Sequence, residues 1–172
     1  PMSTPSMSAP LSANPNPSVV DAGPLGKVYV TGAVTGIGYL QNNELPGDKE
    51  SRADFSNAQV FIQKTDGLFQ FFIQAGGYSL PTIGAPYGEA EDTTQSTFGV
   101  IPQAFVKIAP SENFSIMAGK LPTLIGAEYT FSFQNTNITR GVVWNQENAV
   151  NRGVQLNFSH GPLSASVSVN DG

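Results

Sequence analysis

Apolar and polar residues alternate along most of this chain with a period of two, the pattern of β-strands whose two faces meet different surroundings. The alternation starts at Lys27 and falls into segments bounded by clusters of Gly, Pro, Asn and Asp. No stretch shows the 3.6-residue period of an amphipathic helix. We therefore predict an all-β chain without helices. Its seven strands are predicted at residues 27–40, 55–65, 68–79, 98–108, 114–120, 150–159 and 162–170.

The first short turn predicts how two of these strands pair. Asp66-Gly67 is a two-residue hairpin signal, because both positions tolerate a positive φ. With that turn at the centre, Ile62 faces Phe71 on one side and Gln63 faces Gln70 on the other. One face of the hairpin is then apolar and the other is mostly amide.

Two further turns give the same two-faced ribbons. The connection at 109–113 predicts that Ile108 faces Phe114, and the turn around His160-Gly161 predicts that Phe158 faces Leu163. A one-residue slip would mix the faces, so three turns together specify them. The apolar face is predicted to contact lipid through Val60, Ile62, Phe71, Ile73, Val106, Ile116 and Leu156. The polar face is predicted to line a lumen with Gln59, Gln63, Gln70, Gln74, Gln103, Lys107 and Asn157.

The connections alternate between short and long. The three turns above are short, whereas 41–54, 80–97 and 121–149 are long, and this unequal arrangement is typical of transmembrane barrels. Most strands have the roughly 9–11 residues needed to cross a bilayer obliquely. We predict an antiparallel up-and-down transmembrane β-barrel over residues 27–172, preceded by a flexible Pro/Ser-rich arm over residues 1–26.

Composition narrows the function. Charged residues make up 12% of the chain, about half the share usual in a soluble domain. The net charge of −5 and the scattered Lys and Arg argue against a nucleic-acid partner. With no cysteine and one histidine, we predict no metal site, no cofactor and no catalytic residue. A soluble or surface-attached β-sandwich that acts as a binding or structural module remains the alternative.

One motif points elsewhere. Residues 30–38 resemble the TGxxxGIG nucleotide-binding loop of short-chain dehydrogenases, in which glycines bring a helix N-terminus close to a pyrophosphate. That chemistry needs a helix directly after the loop, and Tyr39-Leu40-Gln41-Asn42-Asn43 reads as a strand end and a turn. We therefore expect these glycines to be small residues within a strand.

A family resemblance strengthens the barrel prediction. The segments 119–123 (Gly-Lys-Leu-Pro-Thr) and 126–128 (Gly-Ala-Glu), followed by Asn135, Asn137 and Arg140, resemble the conserved stretch of the putative β-barrel porin family called OmpL-like. The wider resemblance covers roughly residues 27–172. It implies a porin of the bacterial outer membrane, surrounded by lipid and passing small hydrophilic solutes or ions. Family barrels have more than seven strands, so we expect an incomplete barrel, either a fragment or a subunit that closes with further copies.

The connection 121–149 is the longest. In general porins the corresponding loop folds inward and narrows the pore; the other possibility is a loop that caps the barrel outside. If it folds inward, the charges expected at the constriction are Lys120, Glu128, Arg140 and Arg152. Three of the four are basic, which favours anions. Phe131, Phe133 and Trp144 would anchor the loop or lie in an interfacial aromatic girdle.

Overall fold

A computed structural model describes residues 11–171 as one antiparallel sheet with little helix. A short α-helix, α1, spans Ala90–Ser96, and three 3-10 helices span Gly23–Leu25, Ser132–Gln134 and Val142–Gln146. The strands are β1 (Ser18–Asp21), β2 (Lys27–Leu40), β3 (Ser51–Lys64), β4 (Phe69–Tyr78), β5 (Gln103–Ile108), β6 (Phe114–Pro122), β7 (Val150–His160) and β8 (Leu163–Asn170).

The eight strands pair in sequence order, from β1 to β8, and each pair is antiparallel. Short connections join β3 to β4, β5 to β6 and β7 to β8 at one end of the sheet. Long connections join β2 to β3, β4 to β5 and β6 to β7 at the other. We call these the short-turn end and the long-loop end. The all-β, up-and-down architecture predicted from the alternation is confirmed.

The hairpin registers are each displaced by two residues from the prediction. Ile62 faces Ile73 rather than Phe71, and Ile108 faces Ile116 rather than Phe114. In the third hairpin Phe158 faces Ala165, and the turn is Gly161-Pro162. In the first two hairpins, the opening residues of the second strand pair with the strand beyond. Such staggering accompanies tilted strands, and an even displacement leaves every side chain on its predicted face.

Two expectations about secondary structure are wrong. The segment before Lys27 was expected to lack regular structure, but Ser18–Asp21 forms β1 and pairs with β2; residues 1–10 lie outside the described part. The chain was also expected to lack helices, but α1 interrupts the connection between β4 and β5. The Thr94 hydroxyl binds the Tyr78 carbonyl oxygen and accepts a hydrogen bond from its backbone N–H, which fixes the helix to the end of β4.

The glycine-rich motif at 30–38 lies wholly inside β2, and the chain continues as strand to Leu40. No helix follows it directly, as a dinucleotide-binding loop would require. A register shift between Thr35 and Gly36 instead marks a β-bulge against β3. Across residues 11–171, no helix is long and apolar enough to cross a membrane.

Candidate functional site

The burial of the two faces of the sheet is the reverse of that in a soluble protein. Its polar face, here called the inner face, is buried: all seven residues predicted to line a lumen are at most 7% exposed. Its apolar face, here called the outer face, is partly or largely exposed, with Val60 at 48% and Leu156 at 46%. The remaining predicted lipid-facing residues are half-buried. Water-soluble sheets bury the apolar face instead.

Amide side chains form a partly satisfied network on the inner face. Gln74 Nε2 donates to Gln59 Oε1 at 2.5 Å, and Gln155 Nε2 donates to Asn157 Oδ1 at 2.7 Å. Other buried amide atoms have no partner within the described residues: Asn57 Oδ1, Gln59 Nε2, Gln70 Oε1, Gln74 Oε1 and Gln103 Oε1. An unmatched buried polar atom costs about 1–3 kcal/mol. Five on one face therefore favour a surface that binds water or polar solutes.

An apolar cluster crosses the middle of the inner face. Phe61, Phe72 and Phe105 lie on consecutive strands, with ring centroids 6.2 Å and 5.4 Å apart along the row. Leu11, Met117 and Leu121 complete the cluster, and each of its six members is at most 6% exposed. The alternation predicted a mostly amide face, yet the register that puts Gln63 and Gln70 on this face also puts Phe61 and Phe72 there.

The segment before β1 also contacts the inner face. Asn14 N donates to Gln63 Oε1 at 2.9 Å, and Asn14 Nδ2 donates to Thr31 Oγ1 at 2.8 Å. Gln63 Nε2 in turn donates to the Ser12 carbonyl oxygen at 3.1 Å. Together with the packing of Leu11, these bonds hold the segment against β2 and β3.

Two cavities lie at opposite ends of the inner face. The first, of about 310 Å³, lies at the short-turn end and is lined by Gln70, Lys107 and Asn157 among others. The second, of about 300 Å³, lies at the long-loop end and includes Tyr39 and Tyr87 in its wall. The apolar cluster lies between the two ends.

The connection between β6 and β7 folds against the inner face. Phe131 is fully buried and packs edge to face on Tyr78 at 5.2 Å, while Phe133 packs edge to face on Phe61 at 5.8 Å. Between them, Ser132 Oγ accepts a hydrogen bond from Asn57 Nδ2 at 2.7 Å. The aromatic residues thus anchor the loop, the first of the two roles considered for them.

Arg140 holds the same connection in place from within. Its side chain is 0% exposed, and its guanidinium donates to the carbonyl oxygens of Pro81 (3.2 Å), Tyr129 (3.4 Å) and Thr130. It also lies 5.0 Å from the ring centroid of Trp144. Burial lowers the pKa of Arg140 to about 10, and attraction to the Glu128 carboxylate opposes this shift. A guanidinium enclosed in this way does not face a passing solute, which corrects its expected place at the constriction.

Lys120 and Arg152 also differ from expectation. They face each other across β6 and β7, in the outer-face row that continues from Ile116–Leu156 and Ala118–Val154. Lys120 Nζ donates to the carbonyl oxygens of Ile101 (3.0 Å) and Phe98. Both cations therefore lie on the outer face near the long-loop end. Of the four charges expected at a constriction, only Glu128 stays within a loop and half-exposed, with its carboxylate accepting from the Gly141 N–H at 3.0 Å.

A charged cluster that the alternation of residues does not predict occupies the long-loop end. Beyond the β-bulge the facing positions change parity, so Arg52 and Asp54 point inward. Arg52 lies 3.0 Å from the Glu89 carboxylate and 3.8 Å from that of Asp48. Its guanidinium also lies 4.7 Å from the ring centroid of Tyr87. We call these five residues the mouth cluster.

The mouth cluster joins the first two long connections. Tyr87 OH donates to Asp54 Oδ2 at 3.1 Å, and the Tyr87 N–H donates to Asp48 Oδ2 at 3.4 Å. Burial, with a smaller contribution from Asp54, raises the pKa of Tyr87 to about 12. A hydrogen bond from Gln41, assisted by the backbone N–H groups of Lys49 and Tyr87, holds the pKa of Asp48 below its ordinary value.

The two faces of the sheet define the class of the fold, and a match to a known family defines the family. An all-β, up-and-down sheet with an apolar outer face and an amide-rich inner face is of the β-barrel porin type. The family described as putative beta-barrel porin-2, OmpL-like, matches residues 27–172. The chain belongs to this porin family. No curated protein and no solved structure matches it.

Proposed function

We propose that the chain forms a porin-like channel in the outer membrane of a Gram-negative bacterium, through which small hydrophilic solutes or ions diffuse along the inner face. The observation that carries the proposal is the inverted pair of faces. Gln74 is fully buried, whereas Val167 and Val169 on the outer face are 67% and 77% exposed. In water such an outer face costs free energy, about 25 cal/mol for each Å² of apolar surface. In lipid that cost disappears.

The inner face supplies a polar route. Amide oxygens and nitrogens can replace part of the hydration of a solute without the strong binding that would slow its release. Amide atoms without partners occur on β3, β4 and β5, and a cavity opens at each end of the face. We therefore assign the lumen to this face and the lipid to the other.

The narrowest point of the route is proposed to be the apolar cluster. Phe61 belongs to it and contacts Phe133 of the β6–β7 connection, which covers this face from the long-loop side. Leu11 covers it from the segment before β1. A constriction of this kind restricts passage to small solutes, and aromatic side chains repel water from it.

The soluble β-sandwich is the competing function. A sandwich buries the apolar faces of its sheets against each other and leaves polar residues outside. In this sheet the polar face is buried and the apolar face is exposed, which is the opposite arrangement. A chain that is monodisperse and stable in buffer without detergent would favour the sandwich.

Conductance in a planar lipid bilayer tests the proposal. We expect discrete steps from the purified protein, and larger steps from Phe61→Ala, because the smaller side chain widens the constriction. Phe55→Ala is the matched control, since Phe55 is 67% exposed on the outer face of the same strand; its steps should equal those of the wild type. A protein that inserts into the bilayer without conducting would contradict the proposal.

A further inference from the structure

The charged residues of the loops lie mainly at the long-loop end. Their effect on a permeating ion rests on the proposed channel. Connections 41–50, 79–102 and 123–149, with the end of β3 as far as Asp54, contain nine Asp and Glu residues and three Lys and Arg residues. The short turns of the other end, 65–68, 109–113 and 161–162, contain only Asp66 and Glu112. The chain is therefore electrically polarised along its strands.

The three bases of these segments, Lys49, Arg52 and Arg140, leave six of the nine carboxylates unbalanced by count. The Arg140 charge is enclosed by carbonyl oxygens, at 0% exposure. Lys120 and Arg152, which favoured anions when assigned to the constriction, lie on the outer face. Because the sheet separates them from the inner face, their electrostatic effect on a solute is weaker than that of charges at the mouth.

The mouth cluster itself is net negative. Arg52 is its one base, and it lies against the carboxylates of Asp48 and Glu89, while the Asp54 carboxylate binds the Tyr87 hydroxyl. One positive charge among three negative ones leaves about two negative charges at the entrance. Asp48 and Tyr87 line the cavity of this end, and the Glu89 side chain is 58% exposed. These carboxylates are thus placed next to space that a solute can occupy.

We propose that the long-loop mouth makes the channel selective for cations, with Asp54, Asp48 and Glu89 as the residues that set the preference. A cleft lined by one sign of charge concentrates counter-ions and excludes ions of the same sign. Two unit charges about 10 Å from the path, screened at 0.1 M salt, favour K⁺ over Cl⁻ about threefold by Coulomb's law. At 1 M salt the screening length falls to about 3 Å, and the preference disappears.

Reversal potentials in a KCl gradient across a planar bilayer test the inference. At about 0.1 M salt we expect the sign that marks K⁺ as the more permeant ion. The double variant Asp54→Asn/Glu89→Gln keeps the shapes of both side chains and should remove more than half of the wild-type shift, with single-channel conductance present. Glu112→Gln removes one charge at the opposite end and should leave at least half of the wild-type shift.

The outcomes separate the selectivity from the channel itself. A conducting protein that prefers anions, or that has the same reversal potential in the double variant as in the wild type, overturns the selectivity and leaves the channel standing. A selectivity that persists unchanged at 1 M salt also overturns it, because screened surface charge cannot act there. A protein that never conducts removes the channel and the selectivity together.

Discussion

Replacing Arg140 should release the long connection between β6 and β7 from the inner face. Its guanidinium makes hydrogen bonds to three carbonyl oxygens, and its backbone N–H donates to the Pro81 carbonyl oxygen at 2.9 Å. In Arg140→Met the apolar stem and the backbone bond remain, but the three carbonyl oxygens lose a charged donor. A hydrogen bond from a charged group contributes about 1.5–3 kcal/mol, so we expect a loss of about 3 kcal/mol, most of which should fall on the packed state of the loop.

Hydrogen exchange followed by mass spectrometry measures the effect directly. A loss of about 3 kcal/mol raises the open population of the segment by roughly a hundredfold, so amides of residues 126–146 should exchange correspondingly faster. The matched control is Arg152→Met, since Arg152 is exposed on the outer face and makes no ion pair within the described residues. If the amides of this segment exchange equally fast in the two variants, Arg140 does not hold the loop.

Two further predictions concern backbone geometry and pH. In β4, Gly76 has φ +138° and an added Cβ would lie 2.1 Å from the Ala58 carbonyl oxygen, so Gly76→Ala should destabilise the protein in urea unfolding by more than about 2 kcal/mol. Gly38→Ala, whose Cβ would lie 3.9 Å from the nearest such oxygen, should be nearly neutral, and equal losses in both variants would refute the clash. The pKa of Tyr87 is raised, so its neutral form is favoured in the folded state and its contribution to stability, complete below pH 10, is lost as the pH rises toward 12. Ultraviolet titration should show a phenol that ionises near pH 12 and is missing in Tyr87→Phe; the same titration curve in both proteins would contradict this.

The faces of the sheet could be predicted from the sequence, but the exact pairing could not. A period of two assigns each residue to a face whatever the partner, and a displacement by two residues preserves that assignment. The register depends on strand tilt across the whole sheet, which no single turn reports. The helix α1 was missed for a different reason: Ala90–Ser96 has no apolar stripe, and its hydrogen bond to Tyr78 depends on the fold.

The charged residues show where sequence reasoning went wrong. Lys120 and Arg152 were grouped with the charges of the connection, although both lie in predicted strands and the alternation that put Ile116 and Leu156 on the outer face extends to both. Arg52 was assigned to a loop because β3 was predicted to begin at residue 55, and the β-bulge that turns it inward has no clear signal. Arg140 lies in an irregular connection, where periodicity says nothing about burial. Sites in such segments are accessible only through the structure.

The most direct test of the account is which face of the sheet meets lipid. The chain contains no cysteine, so single-cysteine variants carry a spin label at one chosen position. In liposomes, labels at Val60, Val106 and Leu156 should be relaxed by dissolved oxygen, which concentrates in lipid. Labels at Gln59, Lys107 and Asn157 should be relaxed better by a water-soluble nickel complex than those on the outer face. The account predicts this alternation along β3, β5 and β7; nickel accessibility that is equal on both faces would contradict it.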